Sequence, residues 1–230
     1  VYDITSSPFN SGRASFYHNA LGGYHAAKPA RIQDVNNFYL SKGDIGILNM
    51  MNVRYIITEG KSGTKVPQRN PYANGPAWFV ENIIFAENAN EELLLLDSLD
   101  TKRTAIVHQE FSQKIPLENI ERDSTATISL KSHAPNYLVY ESSTVSPQLA
   151  LFSEAYYSNG WNAYIDGEFT PHLRVNYALR ALPIPAGNHT IEFKFEPKVV
   201  KTGSEIALGS SVLFGLLLLL GGFLQFRKKE

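Results

Sequence analysis

From Ile206 to Phe226 the chain reads IALGSSVLFGLLLLLGGFLQF, without a charged residue, and Arg227, Lys228 and Lys229 follow at once. At about 1.5 Å of rise per residue, a helix of that length crosses a hydrocarbon core roughly 30 Å thick. Ser210, Ser211 and Gln225 do not make the polar stripe of a soluble core helix, so the run is expected to be a membrane span. Lys and Arg beside a span tend to stay in the cytoplasm. The C-terminus is therefore expected inside and everything before Ile206 outside. The reverse arrangement, a tail-anchored protein with a cytosolic head, would carry the basic cluster through the bilayer. An exported domain also needs a signal peptide or earlier spans. No charged segment followed by an apolar one occurs near Val1, so the sequence is expected to be the tail of something larger.

The soluble part is constrained mainly by what it lacks. Lys plus Arg number 21 against 22 for Asp plus Glu, so no strong field is available to attract nucleic acid. Cysteine is absent, which removes disulfides, thiolate metal sites and cysteine nucleophiles. No phosphate-cradling or dinucleotide-binding glycine pattern is present, and Ser, His and Asp are scattered without a nucleophile elbow. No cofactor, no metal and no catalytic residue is therefore assigned. Asn188-His189-Thr190 fits a glycosylation sequon, but its PAGNH context reads as a hairpin turn.

Along the chain, residues 1–110 read as a small mixed α/β region. A helix is predicted from Ala30 to Leu40, where Ile32, Val35, Phe38 and Tyr39 recur at helical spacing. Asp44 can cap a helix over IGILNMMN, and Val53 to Ile57 reads as a buried strand. Gly60 to Gly75 reads as a polar loop, Trp78 to Ala86 as a strand, Asn88 as the cap of a helix through EELLLLDSL, and Thr104 to His108 as a strand. Residues 111–203 change character. Short period-two runs (TATISL, NYLVYES, QLALFSE, WNAYID, EFTPHLRV, YALRALPI and TIEFKFE) predict an antiparallel β-sandwich, with Asp166-Gly167 as a two-residue hairpin turn. Lys198 to Glu205 reads as a short polar connection into the span at 204–230. The class is thus α+β: a small α/β unit, a β-sandwich, and one C-terminal transmembrane helix.

Two clusters could carry chemistry. SFYHNALGGYHAAKPARIQD holds Tyr24, His25, Lys28 and Arg31 beside Gly22-Gly23, a pair that lets the backbone bend sharply or approach a ligand. Two cations with imidazoles nearby could bind a phosphate or a sugar acid; the bland reading is a loop packed on a membrane domain. SEAYYSNGWNAYIDG crowds Tyr156, Tyr157, Trp161 and Tyr164 around one turn. Aromatic faces stack on sugars, but alternation places Trp161 and Ala163 on one face and Asn162 and Tyr164 on the other, and core packing is favoured. Arg174 and Arg180 read as exposed strand charges that suppress edge pairing.

Three segments resemble the C-terminal part of the bacterial YfhO-type membrane protein family: FYHNALGGYHAAKPARIQD, LNMMNVRYII followed by GPAWFV, and LFSEAYYSNGWNAYIDGEFTPHLRVNYALRALPIPAGNHTIEFKFEP with its closing span. Members are large polytopic proteins similar to C-type glycosyltransferases, which transfer sugars from lipid-phosphate donors on the outer face of the membrane. The resemblance implies an extracytoplasmic domain plus last helix. Its catalytic acidic residues would lie upstream, in an early loop between the first spans. It implies Tyr24, His25, Lys28 and Arg31 as contacts to the donor phosphate. Pro29 departs from the apolar residue of that pattern and disfavours helix at Lys28. The alternative class is a membrane-tethered carbohydrate-binding or adhesion module with Tyr157 and Trp161 as its site, and a third is a scaffold without ligand. The expected partners are the lipid bilayer, an upstream transmembrane domain of the same protein, and a lipid-linked sugar or glycan.

Overall fold

The computed structural model describes residues 1–115 and 123–227. The chain opens with a two-residue strand β1 (Tyr2–Asp3), then helices α1 (Arg13–Tyr17), α2 (Ala30–Phe38) and α3 (Ile45–Met50), and a hairpin of β2 (Tyr55–Glu59) and β3 (Lys65–Arg69). Asp44 caps α3 as the sequence requires, its carboxylate accepting from the Ile47 amide at 2.9 Å. The strand over Ile56 and Ile57 forms but is only half-buried, because it lies in a small three-stranded sheet, β1-β2-β3, at the margin of the fold. The stretch expected to be a polar loop contributes β3, whose side chains are all exposed. Its backbone pairs with β2 although nothing in its composition buries it.

Beyond Asn70 the expected strand over Trp78 to Ala86 is two strands, β4 (Ala77–Val80) and β5 (Asn82–Ala86). They are followed by α4 (Ala89–Leu94) and β6 (Thr104–His108). Asn88 caps α4 through the Glu91 amide at 3.0 Å. Glu81 separates β4 from β5. Its amide bonds the Arg103 carbonyl at 2.7 Å and its carboxylate takes the Arg103 guanidinium, so the chain turns there.

The later strands are β7 (Thr127–Ala134), β8 (Tyr137–Thr144), β9 (Gln148–Ala155), β10 (Trp161–Ile165), β11 (Glu168–Phe169), β12 (Leu173–Val175), β13 (Leu179–Ile184) and β14 (Gly187–Phe195), and helix α5 (Lys198–Arg227) closes the chain. They divide between two sheets, β11-β10-β14-β8-β7 and β4-β9-β13-β12-β6-β5. The pairings are antiparallel except β1 with β2 and β5 with β6. In the six-stranded sheet the two edge strands, β4 and β5, are joined by Glu81 alone, so the sheet must curl until its edges meet at that corner. Strands from both sides of residue 110 thus share one sheet.

The six-stranded sheet is covered on both faces. Ala150, Phe152 and Leu182 pack against Tyr140, Ile191 and Phe193 of the five-stranded sheet, whereas Leu149, Leu151 and Ala181 pack with Val35, Leu48 and Leu93 from the helices. This is why QLALF shows no polar alternation: both faces of β9 are interior. The five-stranded sheet is wet on its outer face, and there β14 alternates as read. Asp166 and Gly167 adopt φ of 52° and 85° and close the β10–β11 hairpin. The run EFTPHLRV, by contrast, splits between the sheets, β11 joining one and β12 the other. The PAGNH segment is likewise no hairpin turn: β13 and β14 lie in different sheets, and Asn188 stands exposed in β14.

Helix α5 starts at Lys198, so the expected polar connection is itself two turns of helix, continuous with the span. The helix exposes Leu and Phe all round, and its apolar span is not buried against any of the described residues. Such a rod is stable only in an apolar medium, and Ser210 and Ser211 return their hydroxyls to the carbonyls of Ile206 and Ala207 at 2.8 Å, so neither hydroxyl faces lipid unpaired. Lys228 and Lys229, which complete the basic cluster, lie outside the described residues, as do residues 116–122 near the expected start of the sandwich.

Candidate functional site

A chain of contacts runs from the base of α5 to α2. The Gly160 carbonyl accepts from the Glu196 amide at 2.6 Å, the Tyr157 carbonyl from Trp161 at 3.3 Å, and the Ala178 carbonyl from Tyr156 at 2.8 Å. Ala178 follows Asn176 and Tyr177, whose positive φ values of 47° and 68° make the tip of the β12–β13 turn. Tyr177 then holds α2 directly. Its hydroxyl donates to Asp34 at 2.7 Å, and its carbonyl accepts from Arg31 at 3.1 Å. Burial first, then that bond to Asp34, push the Tyr177 phenol up to about 12. Both sequence-selected clusters therefore sit at the same end of the fold, the end from which α5 leaves.

The segment before α2 is shaped by its two glycines. Gly22 and Gly23 have φ of 115° and 109°, and a Cβ on Gly22 would lie 2.2 Å from the Pro8 carbonyl oxygen, so only glycine lets the backbone pass there. Tyr24, 71% exposed, and His25 project into solvent. Lys28 is not helical, since α2 begins after Pro29. Its ammonium lies 4.7 Å from the Phe9 ring centroid, on the wall of an open cleft of about 670 Å³. Asn10, Gln33, Asn37 and Lys42 also line that cleft, so amides and two cations surround a space large enough for a sugar ring.

Arg31 is placed differently. Its guanidinium binds the carboxylate of Glu92 at 3.0 Å and stacks 4.3 Å from the Tyr177 ring centroid. Glu92 is fully buried and also accepts from the Tyr177 amide at 3.0 Å, with the Arg174 guanidinium 3.8 Å away. No local pattern signals this knot, because Glu92 reads as an ordinary first-turn acid of α4. Arg174 and Arg180 are not the exposed charges expected. Arg174 bridges Glu110 at 2.8 Å, and Arg180 is only 2% exposed.

Arg180 belongs to a polar group buried between the sheets. Its Nε donates to the Ala155 carbonyl at 2.8 Å, and its guanidinium carbon lies 4.3 Å from the Trp161 ring centroid and 5.2 Å from that of Phe193. Burial lowers its pKa to about 10 and that of His172 to about 4, and burial also raises the Glu154 carboxyl and the Tyr140 phenol. Phe195 lies 5.4 Å from Trp161, and that indole is only partly buried, whereas Tyr157 in the same turn is 48% exposed.

A second cleft of about 670 Å³ opens at the opposite end, between Asp166, Glu168, His189, Pro171 and Pro183. There His189 Nδ1 meets Asp166 at 2.6 Å, a bond that raises the imidazole pKa and lowers that of the carboxyl. Below its ordinary value of about 6.5 the imidazolium contributes its full stabilisation, which is lost as pH rises through the higher folded value. Asp166 has the opposite sign: its contribution holds above about 3.9 and fades as pH falls through its depressed folded value. His189→Gln is therefore expected to flatten the decline in melting temperature above pH 6.5, measured against the parent by thermal unfolding. An unchanged slope would mean that the pair does not form.

A sandwich standing on an unsupported apolar helix defines a membrane-anchored domain. Residues 118–207, a range that takes in strands β7 to β14 and the first turns of α5, match a family described as bacterial membrane protein YfhO, and in that part the chain is similar to that family. No curated protein and no solved structure matches the chain.

Proposed function

We propose that this chain is the extracytoplasmic C-terminal domain and last membrane span of a polytopic, glycosyltransferase-like membrane protein, and that its Tyr24 to Lys28 segment helps hold a lipid-phosphate sugar donor. The observation carrying this reading is the contact path that docks α2 at the end of the fold where α5 departs. Two helical turns, about 12 Å at 1.5 Å per residue, separate that end from Ile206, and lipid phosphates stand several ångströms outside the hydrocarbon. That contact path supports a Lys28 cleft on the side of the fold that faces the lipid phosphates. Lys28 supplies charge to the phosphate, His25 and Tyr24 supply donors, and the amides of Asn10, Gln33 and Asn37 suit sugar hydroxyls. Arg31 acts as a positioning residue, its charge engaged by Glu92. The acidic groups of the transfer reaction lie upstream, as the family resemblance implies. The rival reading, a tethered carbohydrate-binding module built on Trp161, is disfavoured by the guanidinium and the phenylalanine against that ring.

Two measurements test this. In the full-length protein, Lys28→Ala is expected to lower sugar transfer about tenfold or more, the worth of one charge-assisted hydrogen bond to phosphate, while membrane levels hold. Transfer unchanged in Lys28→Ala combined with His25→Ala removes the donor site. These 230 residues contain no cysteine, so Tyr24→Cys, compared with the unsubstituted protein, reports sidedness: an impermeant maleimide should add label in intact cells, and added labelling only after permeabilisation would reverse the orientation.

A further inference from the structure

We propose that the end of the five-stranded sheet beside α5 is a lipid-contacting face, on which Tyr157 and Tyr137 seat the domain against the headgroups of the bilayer that α5 enters. The inference rests on insertion of α5 and is independent of the donor site. Strand β14 runs into α5 across Glu196-Pro197, and two turns clamp that junction: the Asn136 carbonyl accepts from the Phe195 amide at 3.0 Å, and the Gly160 carbonyl from the Glu196 amide at 2.6 Å. Both turns are therefore fixed beside the helix at the level where it starts. Neither can move away from the membrane without breaking the end of β14.

The exposed side chains of these turns suit an interface. Tyr157 and Tyr137 are partly exposed rings with polar tips, the residue type enriched where one end of a side chain is apolar and the other wet. Lys198 and Lys201 stand exposed on the first turns of α5, just after the clamped end of β14, where cations favour anionic phosphates. Two acids at the end of β14 are already engaged: Glu192 by Tyr137 and Lys194, Glu196 by Asn162 and Tyr164. The opposite end of the same sheet differs. It carries Asp123, Asp166 and Glu168 and, among the described residues, no tyrosine in its turns, and at about 3.3 Å per residue β8 holds the two ends some 23 Å apart. A bilayer is the occupant because the helix emerging between the clamped turns fixes the membrane on that side.

The test uses full-length protein reconstituted in vesicles of phosphatidylcholine and phosphatidylglycerol at three to one. A nitrobenzoxadiazole label is placed on Tyr157→Cys or, in the same turn, the exposed Asn159→Cys, and compared with Val145→Cys, which is 77% exposed at the far end. Headgroup spin-labelled lipid is expected to quench the 157 and 159 labels at least threefold more strongly than the 145 label. Equal quenching at both ends overturns the proposal. So does shielding of the 157 and 159 labels from lipid together with protection by a soluble glycan, which would assign the turn to sugar instead.

Discussion

In denaturant unfolding of the detergent-solubilised protein, Phe193→Ala is expected to cost about 3–5 kcal/mol, the range for truncating a buried phenylalanine. Phe193 is fully buried where the two sheets meet. Its ring centroid lies 4.9 Å from that of Phe152 and 6.1 Å from that of Tyr140, with His172 at 5.9 Å. Truncation removes that packing and leaves a void near the Tyr140 hydroxyl, His172 Nε2 and Arg180 Nη1, which have no hydrogen-bond partner among the described residues. Water entering the void could pair with these atoms, which draws the expected cost toward 3 rather than 5 kcal/mol. Phe195→Ala, two residues along the same strand but only partly buried, should cost clearly less. A loss below about 1 kcal/mol for Phe193→Ala would mean that the sheets are not closed against each other here.

Local signals were legible and long-range pairings were not. Asp44 and Asn88 each cap a helix with a side chain that the first turn itself needs, so two or three neighbouring residues suffice to read them. Asp166-Gly167 is local in the same sense, because its positive φ values are a property of the turn. The splitting of Trp78 to Ala86 depends instead on Arg103, which takes both the amide and the carboxylate of Glu81 from another part of the chain. Pattern alone cannot tell one nine-residue strand from two that belong to opposite edges of a curled sheet. Arg180 was misread for a related reason: a lone arginine in an apolar run looks like an edge charge until β9 and β12 are known to flank β13. For the candidate site, composition located the segment carrying Tyr24, His25 and Lys28. What Arg31 touches was hidden, since Glu92 and Tyr177 lie 61 and 146 positions away.

Glu92→Ala carries the second large effect, an expected loss of about 3 kcal/mol, and it tests how the candidate site is held. Removing one partner of a buried ion pair typically costs about 3–5 kcal/mol, because the remaining charge is left uncompensated. The lower figure applies here because the side chains of Arg31 and Arg174 are 29% and 14% exposed and can still reach water. Glu92→Gln keeps an acceptor for the Tyr177 amide and should cost roughly half as much. The global number alone does not separate a role in α4 from a role in α2, but amide hydrogen exchange does. If Glu92 pins Arg31, amides of α2 will exchange faster in Glu92→Ala, and the Lys28 loop before it will become a better protease substrate. Arg31→Ala combined with Glu92→Ala will then cost less than the sum of the single changes, since the two groups act as one contact. Additive costs with unchanged exchange in α2 would show that the cleft bearing Lys28 is positioned by Tyr177 and Asp34 without the ion pair.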